Sequence, residues 1–443
     1  MAAHALFRSR HRLFASSVAA MAVAVTMAGG CRSGLDRVAA DIRADEQLPA
    51  VLHDATALVK AGLTAGGQYP QVWIRDLNTF IDLAIDKDTQ PEIRRSLIGF
   101  LHFQSDANGI PDGYGPIDPQ DPQSDWTSPA LPGFAAFKNT VETDQESSLV
   151  QAVARYVART GDRTLLDEVV DGVPVRARLA RALQFPLTHR FSDTYGLLWG
   201  ATTIDWGDVQ PETRAGVYFS AANSHPAIDI YDNAMFLLAV DAYVDLVGAT
   251  DADAARLKPI ADRIRQQVRT VLWDDARHKF RPHVYLDGSP FPSSFDEDRI
   301  YYHGGTAVAI EASLLQPDEV LRALHDMLDD QQRAGAASIG LSVYPAYPDG
   351  LFRHPIIHEY AYQNGGDWTW FGARMVRQLV RYGYAADAYA AVQPMVARAA
   401  RDHGFYEWYT LKNQPRGSGA YRGAAGQLGL AIQSLLDWAK TRK

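Results

Sequence analysis

Apolar residues recur at helical spacing, in paired segments, along most of this 443-residue chain. In SSLVQAVARYVART (147–160) the side chains of Leu149, Val150, Val153 and Val157 share one face, and Gly161-Asp162 ends the run. A second such stretch, TLLDEVVDGVPVRARLARAL (164–183), follows at once. The same pairing is predicted at 230–247 with 252–273, at 305–313 with 317–328 and at 366–383 with 385–400, with a last helix at 421–440. This spacing gives each helix one apolar stripe to bury. Short Gly/Asp turns make each pair a hairpin of helices. No strict sequence period accompanies the repeat, and no low-complexity linker interrupts it. The expectation is one all-α domain of about a dozen helices with its loops gathered at one end.

Between the pairs run long irregular stretches, 104–140, 191–228, 282–304, 338–366 and 402–422, rich in Gly, Pro, Asp and aromatic residues. Loops of that length without structure of their own usually carry function. Five segments combine Trp or Tyr with acids, amides or Arg: YPQVWIRD (69–76), NTVETDQE (139–146), LLWGATTIDWGDVQPE (197–212), YQNGGDWTW (362–370) and GFYEWY (404–409). Such a mixture suits a sugar, whose C–H faces stack on rings and whose hydroxyls need planar, bidentate partners. Charge narrows the ligand further. With 43 Lys and Arg against 52 Asp and Glu, the chain carries −9. That balance disfavours a nucleic-acid groove. His303 and His358 have no metal-ligand spacing, so no metal and no cofactor are expected.

The N-terminus has the pattern of an export signal. Residues 1–12 carry Arg8, Arg10 and Arg12 and no acid, and LFASSVAAMAVAVTMAG (13–29) is apolar and small-residue-rich. That is a basic region followed by a short apolar run, and the run is short for a membrane span. Gly29-Gly30-Cys31 resembles a bacterial lipobox, whose Cys is lipidated after cleavage. Cys31 is the one Cys in the chain. The expected organisation is a signal peptide over 1–30, a linker and first helix over 31–59, and a catalytic domain over 60–443. The protein would be exported and held by its lipid on the periplasmic face or cell surface. The mature chain then has 443 − 30 = 413 residues with 40 basic against 52 acidic residues, or −12.

Taken in order, W-[IV]-R-D, T-x-x-[TV]-D before a helix, I-D-W-G-D, Y-Q-N-G-G-x-W and Y-E-W-Y resemble the six-hairpin glycosidases over about residues 60–440. The likeness is closest to the neutral/alkaline invertase group, with glucoamylases, trehalases and processing α-glucosidases as relatives. It implies twelve helices in an (α/α)6 toroid with a sugar pocket at one mouth. It also implies inverting, exo-acting hydrolysis of an α-glycoside of a short oligosaccharide. Two departures leave the sugar open: Tyr409-Thr410-Leu411-Lys412 follows Glu407, and Trp206-Gly207-Asp208 replaces a basic pair.

Carried onto this sequence, the resemblance implies Asp205 as general acid and Glu407 as general base. Inversion needs two carboxyls about 6.5–9.5 Å apart, which separate loops supply. Trp206 and Trp199 would desolvate Asp205 and raise its pKa. Asp208 is the rival acid, and Asp205 is preferred. Arg75 and Asp76 would grip hydroxyls, Arg75 bidentately, with Trp73 as a platform. Asp144, at the start of a helix, is assigned to the pocket together with Gln363, Asn364, Trp368 and Tyr406. Arg422 and Gln427 are weaker candidates for orienting Glu407. Two alternatives stand beside hydrolysis. One is a lyase or epimerase on the same toroid using Tyr301, Tyr302 or His303. The other is a lipid-anchored sugar-binding protein.

Overall fold

The computed structural model describes residues 34–107, 109–118, 126–137, 141–212, 219 and 223–442. Cys31 and the expected signal peptide lie outside them. Thirteen helices occur among the described residues. They are α1 (34–44), α2 (Gln47–Lys60), α3 (Ile74–Ala84), α4 (Gln90–His102), α5 (Gln145–Thr160), α6 (Val175–His189), α7 (Ile230–Val247), α8 (Ala252–Gln267), α9 (His303–Glu311), α10 (Pro317–Ala334), α11 (Thr369–Arg381), α12 (Ala385–Asp402) and α13 (Arg422–Lys440).

Six of them close a ring. α3 packs on α5, α5 on α7, α7 on α9, α9 on α11, α11 on α13, and α13 returns to α3. Outside it, α2 lies against α13 and α3, α4 against α5, α6 between α5 and α7, α8 against α7, α10 against α9, and α12 against α11 and α13. This is the (α/α)6 toroid. Burial follows position. Inner α7 buries twelve of its residues, from Ile230 round to Leu246, whereas outer α10 buries one stripe of Val320, Ala323, Leu324, Met327 and Asp330. The expected boundary at residue 60 coincides with the end of α2, which is itself one of the outer helices.

Two predicted stretches are broken locally. Within 164–183, a 3-10 turn (Arg163–Asp167) and a small hairpin precede α6. Asp171 and Gly172 turn that hairpin at positive φ, which a helix cannot continue through. The 252–273 stretch leaves the α-helix after Gln267 for one π-turn, Val268–Leu272.

The inner helices begin directly after the long loops, so their N-termini gather beneath those loops. Partial positive charge accumulates there, and carboxylates meet it. Asp76 lies in the first turn of α3, Asp144 precedes α5, and the Asp229 side chain accepts the Asp232 N–H at the start of α7. The loops also have a hydrophobic core of their own, in which Ile204, Val209, Phe291, Tyr302, Val343 and Tyr347 are buried together. That core fixes the loops as a rigid rim. No helix among the described residues is long and apolar enough to cross a membrane.

Candidate active site

A cavity of about 160 Å³ opens among the N-termini of α3, α5, α11 and α13. That is the scale of one ring and no more, since a cavity of roughly 150 Å³ holds a benzene. Asp208 and Glu407 both line it, together with Asp76, Asp112 and Asp144. The aromatic walls are Trp73, Trp206, Trp368, Trp370 and three tyrosines, Tyr69, Tyr362 and Tyr421. Trp206 meets Trp368, Trp370 and Phe371 edge to face, with centroids 4.4–5.7 Å apart. These rings are locked before any ligand arrives.

Each carboxylate has a defined partner. The Gln363 amide donates to Asp208 Oδ1 at 2.8 Å, and the Tyr69 hydroxyl donates to Glu407 Oε1 at 2.7 Å. The Glu407 loop is stitched to the start of α11, because Tyr409 and Asp367 exchange backbone hydrogen bonds at 2.8 and 3.0 Å. Asp367 in turn ion-pairs with fully buried Arg398 at 2.9 Å. Gly417 has φ +71° and packs directly on the Glu407 carboxylate, where any side chain would clash. Burial pushes Asp76 up to about 6, against a hydrogen bond from Tyr421 and the charge of Arg75. Arg75 Nε and Nη2 grip Asp144 bidentately at 2.5 and 3.1 Å, and Nη2 also pairs with Glu142 at 2.9 Å. Tyr231 donates to the same Asp144 at 2.8 Å. Burial drives Glu142 well above the usual carboxylate range, although Arg75 opposes it.

No family model matches the sequence, and no curated protein matches it. Solved structures do share its architecture. A GH63 mannosylglycerate hydrolase from Thermus thermophilus superposes with a TM-score of 0.59 over 86% of this chain and 99% of its own, at 16% identity. A rhamnosidase from Klebsiella oxytoca with rhamnose bound reaches 0.55 over 88% of this chain and 64% of its own, at 12% identity. A glycosidase variant in complex with glucose reaches 0.52 over 88% and 97%, at 15% identity. The chain shares the (α/α)6-toroid fold of these structures.

Within that fold, several expected site residues stand elsewhere. Asp205 does not line the cavity. It adopts φ +53°, and its carboxylate accepts the Gly305 N–H at 2.8 and 3.0 Å, capping α9 from another loop. Burial pushes it up to about 7, with the backbone hydrogen bonds of Gly305 and Gly304 opposing. An anion at a helix N-terminus satisfies otherwise orphaned amides. The chain then turns through Trp206-Gly207 and presents Asp208 to the cavity instead. Trp199 is also away from it; the Arg190 guanidinium packs on the Trp199 ring at 4.6 Å and on the Phe219 ring at 4.1 Å. Asn364 spends both ends of its amide on the backbone of Tyr347, at 2.7 and 2.8 Å. Tyr406 packs on Gly404, Gly419 and Tyr409. Arg422 bonds Leu58 and Thr64, and Gln427 bonds Thr79, so neither reaches Glu407. His303 pairs with Asp330 inside the fold, and His358 faces Asp349 on the surface. Tyr302 bonds Thr203 and Tyr347, and neither it nor Tyr301 lines the cavity.

The cavity gathers Trp73, Arg75, Asp76, Asp144, Trp206, Asp208, Gln363, Trp368 and Glu407 from the sequence expectation. It adds Tyr69, Asp112, Gln145, Tyr362, Trp370 and Tyr421. Most of these lie inside or beside the five aromatic-acid segments, and Asp112 sits in the 104–140 stretch as part of IPDGYGP. The signal was therefore present in the segments, but nothing in them separated wall residues from core residues.

Proposed function

We propose that the protein is an inverting, exo-acting glycoside hydrolase that admits one uncharged sugar ring and cleaves an α-glycosidic bond of a short oligosaccharide. Asp208 is the general acid and Glu407 the general base. The observation that carries this assignment is a set of unpaired buried groups around a ring-sized space lined by Asp208 and Glu407. Trp73 Nε1, Gln145 Nε2 and Trp370 Nε1 are donors without protein partners, and Asp76 Oδ1 and Gln363 Oε1 are acceptors without them. An orphaned buried polar group costs about 1–3 kcal/mol, and native interiors rarely keep one. A polyol ring supplies both donors and acceptors at such spacings, and the Trp walls receive its C–H faces.

Charge supports an uncharged substrate. Five carboxylates line the cavity against one cation, Arg75, which is already paired with Asp144 and Glu142. An anionic sugar would meet uncompensated repulsion at low dielectric. In the reaction, protonated Asp208 gives its proton to the glycosidic oxygen as the bond to the anomeric carbon breaks. Glu407, held by Tyr69, takes a proton from the water that attacks the opposite face. The sugar leaves with inverted configuration.

Asp208→Asn and Glu407→Gln should each lose turnover by at least roughly a thousandfold, because both carboxyls act in the transition state. Proton NMR of the first-released sugar should show the anomer opposite to the substrate. Full activity in either variant, or a retained anomer, would overturn the assignment. The lipid anchor remains a proposal from the sequence. Mass spectrometry of the mature N-terminus should find diacylglyceryl-Cys31, and an unmodified Cys31 would remove it.

A further inference from the structure

A second, larger cleft lies at the same end of the toroid, built from the loops that precede α7 and α9 and the segment that follows α8. Its volume is about 640 Å³, four times that of the first cavity, and it shares no lining residue with it. The hydroxyl of Tyr302 ties the loop that carries Asp208 to the floor of this cleft: it donates to Thr203 O at 3.1 Å and faces His283 Nε2 at 3.4 Å.

Four rings wall this cleft, Tyr195, Trp273, Tyr285 and Phe295. The indole N–H of Trp273 is buried and has no protein partner. The floor is fixed from below. Glu297 receives the hydroxyls of Tyr285 at 2.6 Å and Tyr347 at 2.7 Å and pairs with the His283 ring at 2.8 Å. Little side-chain freedom then remains to be lost on binding. Arg281 is held by Asp298 at 2.8 Å, and Asp296 stands exposed on the rim. The cleft therefore offers ring faces, an unpaired donor and acceptors, with its cation already neutralised. An anionic ligand finds no free counter-charge there, and an apolar one leaves the polar groups unpaired.

We infer that this cleft is a second carbohydrate-binding site, which takes an uncharged oligosaccharide of several residues outside the catalytic cavity. Its size suits more than one sugar ring, whereas the catalytic cavity admits one. The choice of ligand rests on the glycosidase assignment, but occupancy of the cleft does not depend on turnover. A chain long enough to span both sites would keep its end at a raised effective concentration at the cavity.

The test uses the full chain with maltohexaose, cellohexaose and mannohexaose as probes, and calorimetric titration as the readout. Two variants target the cleft. Tyr195→Ala removes a wall, and Thr270→Trp fills the space from an exposed position without touching the core. At least one hexaose should bind Glu407→Gln at two sites. In the Glu407→Gln background, each cleft variant should reduce this to one site or weaken the second site at least tenfold. Both cleft variants should hydrolyse an aryl monosaccharide glycoside at the wild-type rate. A single site in Glu407→Gln, undiminished binding in both cleft variants, or no binding of any hexaose at millimolar concentration overturns the inference. Two-site binding without hydrolysis of any glycoside would keep the cleft and sink the glycosidase assignment. Hydrolysis with one-site binding would do the reverse.

Discussion

The side-chain amide of Gln363 donates to Oδ1 of Asp208 at 2.8 Å. An N–H donor bonds an unprotonated oxygen, so the acid proton is left to Oδ2. Gln363→Ala removes that donor and frees the carboxyl to rotate away from the position the hydrogen bond fixes. kcat should fall by about ten- to hundredfold from misplacement of the acid, with KM little changed. Steady-state kinetics on one glycoside checks this. An unchanged kcat would make Gln363 a packing residue only.

Asp205 is a cap, so its loss should register in stability and not in chemistry. It accepts the Gly305 N–H with both oxygens at the start of α9. Losing such a cap costs about 1–2 kcal/mol. Asp205→Asn keeps one acceptor and should lower Tm, with turnover remaining within about tenfold of wild type. Asp208→Asn should show the opposite pattern. A thousandfold loss in Asp205→Asn with an unchanged melting curve would return the acid role to Asp205.

The hairpins were legible because an outer helix buries one stripe and its period shows. The 230–247 stretch matches α7 to the residue, and α5 ends as expected at Gly161, which adopts the left-handed conformation at φ +72°. The loop of Asp205 and Asp208 was harder for a physical reason. Asp205 and Asp208 stand three residues apart in TTIDWGDV, and both are acids beside Trp206. Only the positive φ at Asp205 and the turn at Gly207 decide which one points at α9 and which at the cavity. Asn364 misled in a similar way, since an amide in a tight bend can serve either a sugar or the backbone of Tyr347. Tyr69, although it opens YPQVWIRD, and Tyr421 were not singled out because a tyrosine serves a core as readily as a cavity wall.

Arg75 clamps acids and does not grip the sugar with its bidentate edge, since Asp144 already occupies Nε and Nη2. Arg75→Met would leave Asp144 and Glu142 buried without their cation. Breaking a buried pair from one side costs about 3–5 kcal/mol, so urea denaturation should show a large loss. Arg75→Lys keeps the charge but cannot make the bidentate contact and should lose less. Adding Glu142→Gln to Arg75→Met should recover part of the loss. A Met variant as stable as wild type would disprove the clamp.

The buried acids beneath the loops should shape how stability changes with pH. Burial pushes Asp205 and Asp229 up to about 7 and Asp76 up to about 6, against roughly 3.9 for an unfolded Asp. A raised carboxyl binds its proton more tightly in the folded chain. Its contribution is therefore complete below about pH 4 and is lost as pH rises through 6 to 7. Glu311 runs the other way. Burial raises it, but Arg374, Arg377 and Arg155 together hold it at about 2. Its contribution persists above about pH 4.5 and disappears only as pH falls through 2. Tm should therefore be highest near pH 4 and decline as pH rises to about 7, and Asp205→Asn should flatten the decline. Thermal melts at half-unit intervals measure this directly, and a level Tm from about pH 4 to about pH 7 would show that these carboxyls are ionised in the folded protein throughout.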